Sequence, residues 1–224
     1  MKDKRTKIEW IKILNKATAG HRPAPVDVYN SSQADAIDLT HHGLVKNGTH
    51  LLDLGCGNGR LAVALTECSL GRYVGIDPVI ESIEFCKLAF APYSDTFEFK
   101  WIDVYNEHYT PNGGDEPSTF ALPFTDGEFD TVIASSVFTH LGTIEVCLNY
   151  LNEVHRVLKD GGKLFSSWFR SPPNEPSKRV LRTVLSEAAI ITMLTDKFEI
   201  FHSRGGFSDN FNDQWCLYAK KKNV

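Results

Sequence analysis

Leu51-Leu52-Asp53-Leu54-Gly55-Cys56-Gly57-Asn58-Gly59-Arg60, followed by Leu61-Ala62-Val63-Ala64-Leu65, is the stretch that decides how this chain folds. Its first half, with His50 before it, is a short apolar run of the kind that forms a buried parallel strand. Three glycines at alternating positions then break the run, and a helical apolar segment resumes. A strand that ends on glycines and re-enters as a helix brings bare backbone close to a ligand at the carboxyl end of a sheet. The start of that helix adds N–H groups and a partial positive charge. The spacing is G-x-G-x-G, so the dinucleotide fingerprint G-x-G-x-x-G is not met. One acid, Asp53, stands two residues before the first glycine.

Working outward, the pattern predicts helices over 4–18 and 31–45 ahead of the glycines, the second capped by Ser31 or Ser32. Gly20, Pro23 and Pro25 stop the first. These segments lie outside the strand–helix alternation, so they form either a lid over the ligand edge or a layer on the sheet flank. Strands are expected at 50–54, 73–77, 97–102, 131–135 and 163–169. Helices over 59–68, 79–91, 144–158 and 177–195 accompany them, the third ended by Asp160-Gly161-Gly162. Phe198-Glu199-Ile200-Phe201 and Trp215-Cys216-Leu217-Tyr218-Ala219 close the sheet as two further strands. The sum is a doubly wound α/β sandwich, mostly parallel with one antiparallel edge. Domain organisation is a helical segment, 1–48, followed by a domain over 49–224.

Asp77 ends the second strand, where a carboxylate accepts hydrogen bonds from both hydroxyls of a ribose. The alternative is an Asp that caps the next helix through Asp77-Pro78. Residues 105–123 are rich in turn formers, with Tyr and His interspersed. A long irregular loop at a ligand edge is usually functional.

At 224 residues with ordinary composition the chain can bury one full core. Its apolar runs are too short to span a bilayer. It opens on Met-Lys-Asp-Lys-Arg with no secretory pattern, so a cytoplasmic location is expected. Five scattered cysteines without a metal-binding spacing point to reduced, structural thiols, and no metal site is expected. Cys56, at a helix start, offers its backbone rather than a nucleophile. The net charge of −4 conceals an asymmetry: residues 1–22 hold seven Lys or Arg against two acids, a net +5, which leaves −9 on the rest. An acidic body is a poor platform for a nucleic-acid backbone. The basic head either meets an anionic substrate or is a solvated helix face.

The hydrophobic pair, Asp53, and the Gly triplet resemble the first motif of class I S-adenosylmethionine-dependent methyltransferases. Further strings are similar to one subgroup of that family, among them Asp103-Val104-Tyr105-Asn106, Tyr109-Thr110-Pro111-Asn112-Gly113 and Ser136-Val137-Phe138-Thr139-His140-Leu141. So is Leu151-Asn152-Glu153-Val154-His155-Arg156-Val157-Leu158-Lys159-Asp160-Gly161-Gly162, where Asp160 replaces a usual proline. The resemblance implies a seven-stranded sheet with one antiparallel strand and S-adenosyl-L-methionine as cofactor, S-adenosylhomocysteine being its product. It assigns the methionyl part to Gly55, Cys56, Gly57, Gly59 and Arg60, with Asp53 orienting the loop. It assigns the ribose to Asp77 beside Pro78, the adenine to Asp103 and Val104, and a backbone contact to Ser135, Ser136 and Val137.

Methyl transfer from a sulfonium is an in-line displacement, so alignment and exclusion of water are the protein's main tasks. An acceptor that must lose a proton needs a base, and His140 is the first candidate, the alternative being a helix-start histidine bonded to backbone. Tyr105, His108, Tyr109 and Arg170 are candidate acceptor-facing groups. A small-molecule O or N acceptor is expected and nucleic acid is disfavoured, because the Pro-Pro-aromatic signature of exocyclic-amine enzymes is missing after the fourth strand. A catalytically silent binding module and a macromolecular acceptor remain the alternatives.

Overall fold

The structure, a computed structural model, describes residues 4–17, 24–170, 183–205 and 214–223. Chain contacts divide it into two compact units, Met1–Ile102 and Asp103–Val224.

In the first unit, helices α1 (Lys7–Ala17) and α2 (Pro25–His41) precede β1 (His50–Leu54), α3 (Arg60–Leu65), β2 (Arg72–Asp77), α4 (Ile80–Ala89), a 3-10 turn at Ala91–Tyr93 and β3 (Phe97–Trp101). The three strands run parallel in the order β3-β2-β1, with Asp53 level with Gly75 and Asp77 level with Trp101. Parallel pairing buries both faces of β1 and β2, which explains why neither shows polar alternation. Helix α1 docks through Trp10, whose ring lies 4.9 Å from Phe90 and 5.9 Å from Tyr93. The Arg5 backbone N–H donates to the Tyr93 hydroxyl at 2.8 Å. Helix α2 packs on α1 and α3.

Helix α2 starts six residues before the expected position. Pro25 occupies its first turn, where a fixed φ and a missing N–H cost nothing. Ser31 and Ser32 are therefore mid-helix, and their hydroxyls donate back to the Val28 and Tyr29 carbonyls rather than capping. Three apolar side chains of α2 and α4 point outward: Ile37 and Leu88 are 70% and 79% exposed, and Ile80 is 44% exposed. Helix α3 has six residues, shorter than expected, because Gly59 takes a left-handed conformation and Thr66 ends it.

In the second unit, β4 (Phe129–Ala134), α5 (Ile144–Val157), β5 (Leu158–Arg170), β6 (Val184–Leu185), α6 (Glu187–Thr195), β7 (Phe198–Arg204) and β8 (Trp215–Lys221) follow. Strand order is β4-β5-β8-β7, with the two-residue β6 beside the end of β5. Strands β4 and β5 are parallel, while β8 is antiparallel to both neighbours. The antiparallel strand thus lies between β5 and β7 and not at an edge. The extra strand β6 makes eight among the described residues. Asp160-Gly161-Gly162 does not end α5, which stops at Val157. These residues lie within β5, where the register against β4 shifts and Gly161 has φ 70°. Helix α6 begins at Glu187. The expected start of its helix near 177, the Ser171-Pro172-Pro173 turn, the stop signals Gly20 and Pro23, and most of the 203–213 link lie outside the described residues.

The polar face of α5 pins the irregular segment before β4. Asn149 donates to the Pro117 and Phe120 carbonyls, and Glu153 accepts the Leu122 N–H. Arg156 donates to the Leu122 and Phe124 carbonyls while paired with Glu153 and Asp126. Backbone groups that no strand satisfies are thereby satisfied by one helix.

Trp10 is 2% exposed. Trp10→Ala should lower unfolding stability by about 3 kcal/mol or more in urea titration, since truncating a buried aromatic leaves a cavity. A change within about 0.5 kcal/mol would show that α1 does not share the unit's cooperative core.

Candidate active site

The glycine loop between β1 and α3 depends on left-handed backbone. Gly55, Gly57 and Gly59 have φ of 71°, 49° and 72°, a region costly for residues with a Cβ. Gly59 is also crowded, since an added Cβ would meet the Phe90 ring at 2.8 Å. At Gly57 an added Cβ would have no heavy atom within 4 Å, so this glycine faces open space that a ligand can fill. The Gly55 and Cys56 N–H groups both donate to the Ile76 carbonyl at the end of β2, at 2.8 and 3.0 Å.

Asp77, 7% exposed, holds the loop from its far side. One carboxylate oxygen accepts the Gly57 N–H at 2.8 Å and the other accepts the Val79 N–H at 2.9 Å. The turn at Pro78 and the glycine loop are therefore tied to a single side chain. Burial raises the Asp77 pKa, opposed by the Val79 and Gly57 hydrogen bonds. Each oxygen keeps a second lone pair, so the carboxylate can accept two further donors such as ribose hydroxyls. Trp101, level with Asp77 on β3, donates its indole N–H to the Pro78 carbonyl at 2.8 Å.

Asp53 takes the Tyr73 hydroxyl as its hydrogen-bond partner. The side-chain bond to the loop that was expected from Asp53 comes from Asp77. Burial pushes the Asp53 carboxyl up to about 7 against the lowering bond from Tyr73. Cys56 is buried, and contact with Cys86 together with burial holds its thiol well above the usual range, which fits a structural thiol. Arg60, the first residue of α3, pairs with Asp35 of α2 at 2.6 Å and reaches the Ser31 hydroxyl at 3.4 Å. The sequence reading missed Tyr73 and Cys86 as partners of the loop. Both lie on neighbouring elements, at positions that become visible only once the parallel register is known.

In the second unit Asp103 is exposed and its carboxylate accepts the Gly114 N–H at 3.1 Å, while its carbonyl accepts the Asp115 N–H. The Thr110 hydroxyl donates to the Val104 carbonyl at 2.7 Å. Gly113 is required by this closure, because a Cβ there would lie 2.4 Å from the Val104 carbonyl oxygen. After β4, Ser135 and Val137 are half-buried and Ser136 has φ 61°, the one non-glycine residue in the left-handed region among those described. That strained turn is held from several sides. The Ser136 N–H donates to the Ser167 hydroxyl, Gln214 bonds both hydroxyls, and Thr139 donates to the Ser136 carbonyl. Such over-determination of a costly conformation is a mark of functional corners.

His140, His108 and Tyr109 come together. The imidazoles are 6.1 Å apart and within 10° of parallel. The Tyr109 ring stands at 79° to His108 and 80° to His140. Tyr105 is 40% exposed. Arg170 pairs with Glu187 at 2.9 Å and stacks over Trp215, 4.2 Å from its ring centre. A cleft of about 550 Å³ elsewhere in this unit is lined by Asp126, His155, Arg156, Lys159, Asp160 and Lys221. Its long cations are already matched to Asp126, Asp130 and Asp160, so it does not resemble a site for chemistry. No helix among the described residues is long and apolar enough to cross a membrane.

The family model described as "Methyltransferase domain" matches residues 52–166. The chain belongs to this family. Among curated methyltransferases it is similar to an uncharacterized one of Mycobacterium leprae, 28% identical over 153 residues that cover 66% of this chain and 49% of that one. It is also 33% identical, over 128 residues, to the mitochondrial ubiquinone biosynthesis O-methyltransferase of Mus musculus, covering 56% of this chain and 30% of that one. The chain thus spans about half the length, or less, of these relatives. A solved S-adenosylmethionine-dependent methyltransferase from Methanosarcina mazei shares the fold, with TM-score 0.62 and 20% identity over 81% of this chain and 96% of that one. The fold is that of class I methyltransferases.

The folded Asp53 carboxyl keeps its proton up to about pH 7, whereas the unfolded one releases it near 4. Stability is then highest below the lower value and falls as pH rises through the upper one. Asp53→Asn has no carboxyl to ionise. Its urea midpoint relative to wild type should rise between about pH 4 and pH 7 and level off above that. A pH-independent difference would contradict the raised pKa.

Proposed function

We propose that the chain moves a methyl group from S-adenosylmethionine to an oxygen or nitrogen of a small-molecule acceptor by in-line displacement. The observation that carries this is the glycine loop, left open at Gly57 and tied to Asp77 through the Gly57 N–H. When bound, the cofactor supplies a methyl already activated on a sulfonium. No nucleophilic side chain is therefore needed, and the residues bind, orient and exclude water.

The loop from Gly55 to Arg60 is assigned to the methionyl part. Asp77 beside Pro78 is assigned to the ribose, using acceptor capacity that Gly57 and Val79 leave over. Asp103 and Val104 are assigned to the adenine and Ser135, Ser136 and Val137 to its amino edge. Support for these is the resemblance together with the strained, cross-braced turn at Ser136. His140 takes the acceptor proton where the acceptor does not ionise by itself.

A small acceptor with a reactive oxygen is favoured by the relative named for ubiquinone biosynthesis. Nucleic acid is disfavoured by the −9 charge outside residues 1–22. The free cysteines among the described residues favour the reducing cytoplasm.

Calorimetry with S-adenosylhomocysteine tests the cofactor assignment. Asp77→Ala should weaken binding at least about tenfold, because it removes a charged hydrogen-bond acceptor from both loop and ligand. Undiminished affinity would remove the ribose assignment. Incubating the protein and isotopically labelled donor with a metabolite extract should place label in a small molecule. Label found solely in protein or RNA would overturn the acceptor class.

A further inference from the structure

Asn106 is bonded on both ends of its carboxamide. Its Oδ1 accepts the His108 and Tyr109 N–H groups at 3.0 and 3.1 Å, and its Nδ2 donates to the His140 carbonyl at 2.9 Å. Its backbone exchanges two hydrogen bonds with Thr110, at 2.9 and 3.1 Å. One side chain therefore shapes the 106–110 turn and fastens it to the corner after β4. The three aromatic rings it brings together are not part of the core. Tyr109 is 48% exposed, His108 is exposed and His140 is half-buried. Exposed rings carried on a backbone already fixed by hydrogen bonds lose less entropy when a ligand docks on them than rings on an unbraced loop.

From this arrangement we infer that His108, Tyr109 and His140 form an aromatic corner that docks a planar, hydroxyl-bearing ring of the acceptor, and that Asn106 is the positioning residue that sets it. The inference rests on the methyl-transfer reading and names the acceptor class for it. The 6.1 Å between the imidazoles is less than the about 7 Å needed for a ring sandwiched between two others. The corner therefore offers outer faces and not a slot. A planar ring stacks on such faces with a preference that a puckered ring of equal area lacks. Imidazole is also a ring that accepts a proton from a hydroxyl in the neutral range.

The test uses the full chain saturated with S-adenosylhomocysteine, with 1-naphthol as planar probe and its saturated counterpart 1-decalol as control. Binding is read by fluorescence and by NMR of the histidine rings. Expected is that 1-naphthol moves the ring signals of His108 and His140 and leaves His155, which sits against Phe198, unchanged. Tyr109→Leu, which keeps an apolar side chain, should weaken 1-naphthol about three- to tenfold and leave S-adenosylhomocysteine affinity unaltered. Asn106→Asp keeps the acceptor for both N–H groups and loses the donor to His140, so it should weaken 1-naphthol similarly. A purely structural role for Asn106 in the turn would leave that variant at wild-type affinity and overturn the positioning role. Equal binding of 1-decalol, or 1-naphthol binding without movement of the two imidazole signals, would overturn the aromatic corner while cofactor binding stood. Absence of S-adenosylhomocysteine binding in the wild type would overturn the underlying function and this inference with it.

Discussion

One carboxylate holds the first unit's functional end in shape. Asp77 accepts the Gly57 N–H with one oxygen and the Val79 N–H with the other, so loop, strand tip and the start of α4 share one anchor. The anchor works because β2 brings Asp77 level with the loop in a parallel register that also demands a glycine next door. A Cβ on Gly75 would lie 2.9 Å from the Cys56 sulfur and from the Phe99 ring. Loop conformation, strand register and helix start are thus one constraint seen from three sides.

Each unit also holds groups that cost stability. Asp53 and Asp77 are buried acids whose carboxyls are pushed upward by desolvation, and Ser136 holds a backbone conformation that glycine would adopt more easily. None of these improves folding. Strain and buried charge of this kind persist where the surroundings over-determine them, and they cluster where a ligand must be met by preorganised groups. The cores offset the cost with aromatic packing, Trp10 on Phe90 in one unit and Phe138 on Trp168 in the other.

Strands β1, β2, β3 and β4, the loop glycines and α5 were readable because each is dictated by local chemistry: apolar runs, turn residues and helical spacing. The misplaced boundaries fell where one residue type serves two purposes. Pro25 was read as a stop for α1 but it opens α2, and Ser31 and Ser32 bond their own helix instead of capping it. Gly161 and Gly162 looked like a helix end and are a register shift within β5. Within the candidate site, residue types were legible and partners were not. The sequence marks Asp53 and Asp77 as acids near glycines, yet the choice of Asp77 for the loop and Tyr73 for Asp53 depends on which side chains the sheet register brings level. Nothing local in the sequence marks a role for Asn106, since its partner His140 is 34 residues away.

The most direct test of this account is a crystal structure of the chain with S-adenosylhomocysteine. The homocysteine portion should lie along residues 55–59 with the Gly57 N–H still bonded to Asp77. Density for the ligand elsewhere, for instance in the charged cleft at Arg156 and Lys221, with residues 55–59 in contact with solvent, would contradict it.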